Sequence, residues 1–157
     1  MIQDTIKFLL VDDTDENLVA LEALLRREGL EILKARSGSQ ALEMLLIHYV
    51  ALAILDVQMP LKDGIAAARD IAGERIAPVI ILTAFSQREL VEKAREAGAM
   101  AYLVKPFQKK DLLPTIEMAM SRFSEIVQLE AEVSDLQGRL EARKTIERAK
   151  GVLQAEH

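Results

Sequence analysis

Residues 51–60 read ALAILDVQMP, five apolar residues in succession and then an aspartate. A continuous apolar run of this length, without one-in-two alternation, reads as a short strand covered on both faces. A carboxylate directly after such a run is out of place in a core, so Asp56 marks an edge where something charged is wanted. Four further apolar runs flank this one: IKFLLV (6–11), EILKA (31–35), PVIILT (78–83) and AYLV (101–104). Between them apolar residues recur at helical spacing, at Leu18, Leu21, Leu24 and Leu25, at Ala41, Leu42, Leu45 and Leu46, and at Leu90, Val91, Ala94 and Ala97. Gly29, Gly64 and Gly98 fall where helices or turns should start or stop. Strand and helix alternate five times. Parallel strands need crossover helices, and those helices must bury their stripes, so the pattern predicts an α/β fold: a doubly wound, five-stranded parallel sheet of roughly 120 residues.

Composition narrows the function classes. The 157 residues are 50% apolar and 29% charged, a globular balance with room for one domain and an appendage. The net charge of -5 offers no overall basic field for nucleic acid. There is no cysteine, which excludes disulfides, thiolate metal sites and cysteine nucleophiles, and fits a cytoplasmic protein. The N-terminus MIQDTIKFLLVDD lacks a basic segment followed by a long apolar one, so no secretory signal is expected. The apolar runs are strand-sized, so no membrane span is expected.

In a sheet of this kind ligands bind beyond the carboxyl ends of the strands. The residues there are Asp12 and Asp13 after the first run, Asp56 after the third, Thr83 closing the fourth and Lys105 after the fifth. Any one aspartate in such a place is more often a turn former or helix cap. Five polar residues at four of the five strand ends form a pattern that packing alone does not require. Three carboxylates held close repel one another unless a cation is bound, and oxygen ligands without His or Cys select a hard cation, Mg²⁺ better than Ca²⁺. With that charge neutralised, the carboxylate alone at the central strand, Asp56, can attack a phosphoryl group whose oxygens Lys105 and Thr83 hold.

LLVDD, LDVQMP followed by KDG, ILTAF and YLVKPF together resemble the motif set of bacterial response regulator receiver domains, over residues 6 to about 122. The resemblance implies a flavodoxin-like strand order, 2-1-3-4-5. It implies that Asp56 accepts phosphate from a sensor histidine kinase, that Asp13, Asp56 and the backbone carbonyl of Gln58 ligate Mg²⁺, and that Asp12 helps through water. It also implies that Thr83 and Tyr102 act as a switch pair and that the Lys105–Pro106 peptide is cis.

After KPF the chain changes character. One proline near the start of the segment is followed by none, which permits a long C-terminal helix. Ile126, Leu129, Val133, Leu136 and Leu140 step by 3, 4, 3 and 4, the spacing of a coiled-coil seam. The expected division is a receiver at 1–122, a coiled-coil linker pairing two chains at 123–143, and an output segment at 144–157. RLEARKTIERAKGVLQ resembles the opening of an ANTAR domain, an RNA-binding output module, here expected to be its truncated start, with RNA binding confined to a longer parent. Arg139, Arg143, Lys144, Arg148 and Lys150 could face phosphates, although a charge run on a helix is more often a solvated face. The first half resembles receivers of hybrid sensor kinases and residues 73–107 resemble ANTAR regulators, a difference that a junction near residues 56–64 would explain.

Two readings of different class follow. One is a phosphoswitch without enzymatic turnover of its own, in which phosphorylated Asp56 alters the helix that leads to the coiled coil. The other is a phosphohydrolase with an aspartyl-phosphate intermediate. Gln58, two residues after Asp56, is not an acid that could protonate a leaving group, which weighs against it. A receiver-like dimerisation scaffold stands third.

Overall fold

The computed structural model describes residues 5–56, 61–84 and 88–155, with side chains at 5–56, 64–84 and 91–134. Strand and helix alternate as β1 (Ile6–Val11), α1 (Asp15–Leu25), β2 (Leu30–Ala35), α2 (Gly38–Ile47), β3 (Leu52–Asp56), α3 (Leu61–Gly73), β4 (Val79–Thr83), α4 (Arg88–Glu96), β5 (Ala101–Val104) and α5 (Lys109–Ala155). All five strands are parallel, in the order β2-β1-β3-β4-β5. Each apolar run of the sequence became a strand to within a residue or two. Every residue of β3 and β4 is buried, as a strand covered on both faces requires.

The sheet divides the core into two layers. Leu18, Leu21 and Leu25 of α1 and Leu112, Ile116 and Ala119 of α5 pack with Phe8, Leu10, Ile54, Ile80 and Leu82 on one face. Ala41 of α2, Ile65, Ala68 and Ile71 of α3, Ala94 of α4 and Ala97 in the turn after it pack with Leu9, Val11, Leu55 and Ile81 on the other. Small residues on α3 and α4 let those helices lie close to the sheet. At the turn into β5 the approach is closest. Gly98 has φ +92°, and a Cβ there would stand 2.9 Å from the Cβ of Ala72, so both the backbone and the α3 contact demand glycine.

One helix face differs from expectation. Leu46 was grouped with Ala41, Leu42 and Leu45, yet it is 87% exposed. At 100° per residue it lies well round the helix from Ala41, in the last turn of α2, and Val50 in the following loop is the residue that turns inward.

Register sets the functional edge. Val11 pairs with Leu55, Leu55 with Ile81 and Thr83 with Val104. The ladder continues one step beyond two strands: Asp12 N donates to Ala35 O at 3.0 Å and Lys105 N to Thr83 O at 2.7 Å. Asp12, Asp56, Thr83 and Lys105 therefore stand at neighbouring rungs. By contacts between its residues the chain divides into two compact units, Met1–Phe123 and Ser124–His157. The last helix, 47 residues long, is far longer than covering a sheet requires.

Candidate functional site

Asp56 is the last residue of β3, with 3% of its surface exposed, and its Oδ2 is ion-paired with the Nζ of Lys105. Asp12, at 4%, lies one residue past β1. Its Oδ1 accepts the Thr14 backbone N–H at 2.9 Å. Burial pushes the Asp12 carboxyl up to about 6, and the hydrogen bond and negative charge of neighbouring Asp56 push the same way, against the opposing pull of Thr14 and Asn17. Thr83 is 2% exposed at the end of β4. Two buried carboxylates thus lie together, one of them paired with an ammonium, with a buried hydroxyl-bearing residue on the next strand.

Asp13 departs from expectation. It was expected to converge with the other two carboxylates, but it is exposed and its Oδ1 accepts the Thr14 hydroxyl at 3.2 Å. Asp12 still donates its N–H to the sheet, so it keeps strand geometry, and in extended backbone consecutive side chains point opposite ways. Among the described residues no group of three or more carboxylate or imidazole side chains is spaced to hold a metal. The donor set nonetheless suits a hard divalent cation: two adjacent buried carboxylates carry more negative charge than Lys105 offsets, and the negative charge of Asp56 adds to the burial that raises the Asp12 carboxyl.

The other sequence candidates are placed as follows. Tyr102 is on edge strand β5 opposite Ile81, 45% exposed. The Lys105–Pro106 peptide is cis. Gln58 lies outside the described residues. Of the seam residues, Ile126 is half-buried, Leu129 is 60% and Val133 52% exposed, while the side chains of Leu136 and Leu140 lie outside the described ones. Sequence reasoning missed the Thr14 backbone N–H as the partner of Asp12; its signal was a helix-cap residue standing two positions after the acid.

Residues 8–117 match the response regulator receiver domain family. The chain belongs to that family. Its relatives include the transcriptional regulatory protein PdtaR of Mycobacterium tuberculosis, 57% identical over 146 residues, 91% of this chain and 71% of PdtaR. That match spans both sides of residues 56–64, where the two halves of the sequence suggested a junction. The transcriptional regulatory protein ZraR of Escherichia coli is 39% identical over 122 residues, 77% of this chain and 28% of ZraR. Among solved structures, the signal receiver domain of an HD domain-containing protein from Pseudomonas fluorescens superposes with a TM-score of 0.69 at 29% identity, covering 76% of this chain and 98% of that one. The receiver is of the two-component type, and its relatives are transcriptional regulatory proteins. No helix among the described residues is long and apolar enough to cross a membrane.

Proposed function

We propose that this receiver is a Mg²⁺-dependent phosphoswitch in which Asp56 takes a phosphoryl group from a sensor histidine kinase. The observation that carries the reading is Asp56 itself, a buried carboxylate at the rim of the central strand, held between the Lys105 ammonium and the acid of Asp12. An Asp56 oxygen attacks phosphorus, the bond from phosphorus to the kinase histidine nitrogen breaks, and the imidazole leaves with that electron pair. Lys105 transfers its ammonium from the Asp56 oxygen to the arriving phosphoryl oxygens, and Thr83 donates its hydroxyl to another. A bound Mg²⁺, held by Asp13, Asp56 and the Gln58 backbone carbonyl with Asp12 acting through water, would supply charge neutralisation at this edge. Asp13 must release the Thr14 hydroxyl to join that set. As Thr83 turns inward, the exposed Tyr102 ring moves into the space it leaves, and the edge around β5 changes shape.

Residues 123–143 then pair two chains as a coiled coil, and residues 144–157 begin an RNA-binding ANTAR output in a cytoplasmic regulator. The heptad spacing, the exposed Leu129 and Val133, and the likeness to transcriptional regulators support this. The receiver does no enzymatic work beyond its own phosphorylation and its reversal. Incubating the chain with Mg²⁺ and acetyl phosphate and weighing it intact tests the central claim. Wild type should gain one phosphoryl group and Asp56→Asn none; equal gain by both, or by neither, defeats the reading.

A further inference from the structure

We propose that the rim from which the strands start, opposite the acid edge, pairs with the same rim of a second copy of this chain through Leu46, Ile47 and Tyr49. This surface is unused by the phosphoswitch reading, and the inference stands without it. Leu46, Ile47 and Tyr49 are 87%, 82% and 91% exposed, the three most exposed large apolar residues among the described ones. All three fall within four positions, where α2 ends and the chain turns towards β3. Apolar residues scattered singly over a surface are ordinary, whereas a run of them marks a contact.

The backbone dictates their exposure. Glu43, Leu46 and Ile47 are three and four residues apart on α2 and share one face, turned away from buried Ala41. His48, the C-cap, has extended backbone and Val50 is buried, so Tyr49 between them turns outward. A helix face directed to water ordinarily carries polar side chains. Here it carries Leu and Ile, and neither they nor Tyr49 belong to either core layer.

The charges beside the patch decide its occupant. Glu43 is exposed one turn back along α2, on the face of Leu46 and Ile47. At the other side, Lys7 at the start of β1 donates from Nζ to His48 Nδ1 at 3.3 Å. An imidazole nitrogen that accepts is unprotonated, so this neighbour brings Lys7 no negative charge. Among the described residues neither Lys7 nor Glu43 is ion-paired. In a two-fold pairing residue i meets j and j meets i, so Glu43 of each copy faces Lys7 of the other, and the apolar side chains meet near the axis. A foreign partner must bring both charges in the right order; a second copy already carries them. Three side chains make a patch smaller than the roughly 800 Å² per partner of a standard interface, so the pairing is weak, with a dissociation constant of about 0.1–1 mM. It takes effect where copies are concentrated or already joined elsewhere.

The test follows amide chemical shifts of the full chain from about 0.02 to 1 mM, a range that brackets this affinity. In wild type, shifts at residues 43–49 and around Lys7 should move with concentration, and they should move equally in Leu129→Glu, which separates them from pairing along α5. Ile47→Asp should weaken the pairing about tenfold or more. Lys7→Glu and Glu43→Lys should each weaken it about tenfold, because both contacts of the two-fold then repel. Mixed in equal amounts, the two charge variants should pair as wild type does, since each meets the opposite charge at both contacts. Glu43→Lys, at an exposed position, keeps the charge test available if Lys7→Glu folds poorly. Shifts that ignore concentration, or that move only at other residues, overturn the inference. So does a loss on Ile47→Asp while the charge variants pair as wild type, or a mixture that pairs no better than its components; either result gives the patch to a different partner.

Discussion

Asp12 sets a pH dependence opposite in sign to that of most folded carboxylates. Its carboxyl lies at about 6 in the fold against an ordinary 3.8, so folding takes up a proton between those values. The stability this contributes is complete below 3.8 and is lost as pH rises through about 6. The full gap corresponds to about 3 kcal/mol, an upper figure for one group. Asp12→Asn, which keeps the shape and removes the charge, should therefore stabilise the metal-free chain by about 1–3 kcal/mol near neutral pH and by little near pH 4. Urea unfolding in a chelator across that range checks this; a mutant advantage independent of pH would show that the fold does not raise the Asp12 carboxyl. Strand ends placed Asp12, Asp56, Thr83 and Lys105 correctly in the sequence, because an apolar run stops where the sheet stops. They could not show that Asp13 faces outward, since that depends on Asp12 still belonging to the sheet ladder, nor that Asp12 takes the Thr14 N–H, since that depends on where α1 begins.

The contrast between the starts of α1 and α2 belongs to the element scale. Ser37 caps α2 in the ordinary way: its hydroxyl accepts the Gln40 N–H at 3.0 Å, while Gln40 Oε1 accepts the Arg36 N–H at 2.7 Å. Thr14, in the same position on α1, spends its hydroxyl on Asp13. Ser37→Ala should thus cost about 1 kcal/mol of unfolding free energy and Thr14→Ala only a few tenths. Equal losses in denaturant titrations would mean that Thr14 caps its helix after all. The strands themselves were legible because parallel strands buried on both faces carry no alternation to misread. Helix faces were less so: Leu46 fits an apolar stripe on paper, but its buried side depends on how far α2 extends over the sheet before the chain turns at His48.

At the scale of the whole molecule, the receiver must communicate with whatever follows it, and the covalent route is α5. Its first turns are part of the core, with Leu112, Ile116 and Ala119 buried against β1, β3 and β4. Farther along, Leu129 and Val133 present apolar surface at seam spacing. Each isolated apolar side chain left in water forgoes about 1.5–3 kcal/mol of burial, so a second chain laid along this seam would recover several such contributions. Gly138, in the same stretch, weakens a lone helix by about 1 kcal/mol and makes the seam more dependent on that partner. Sedimentation should therefore find a concentration-dependent dimer that Leu129→Glu or Val133→Glu converts to monomer without lowering the melting temperature of the receiver. Beryllofluoride with Mg²⁺, acting as a phosphoryl mimic at Asp56, should shift the dimer equilibrium if the acid edge and the seam are coupled, and by linkage dimerisation should then change the affinity for the mimic by the same factor. A dimer untouched by either glutamate substitution would place the contact elsewhere, and a dimer whose equilibrium ignores the mimic would make the seam a permanent tether through which the receiver sends no signal.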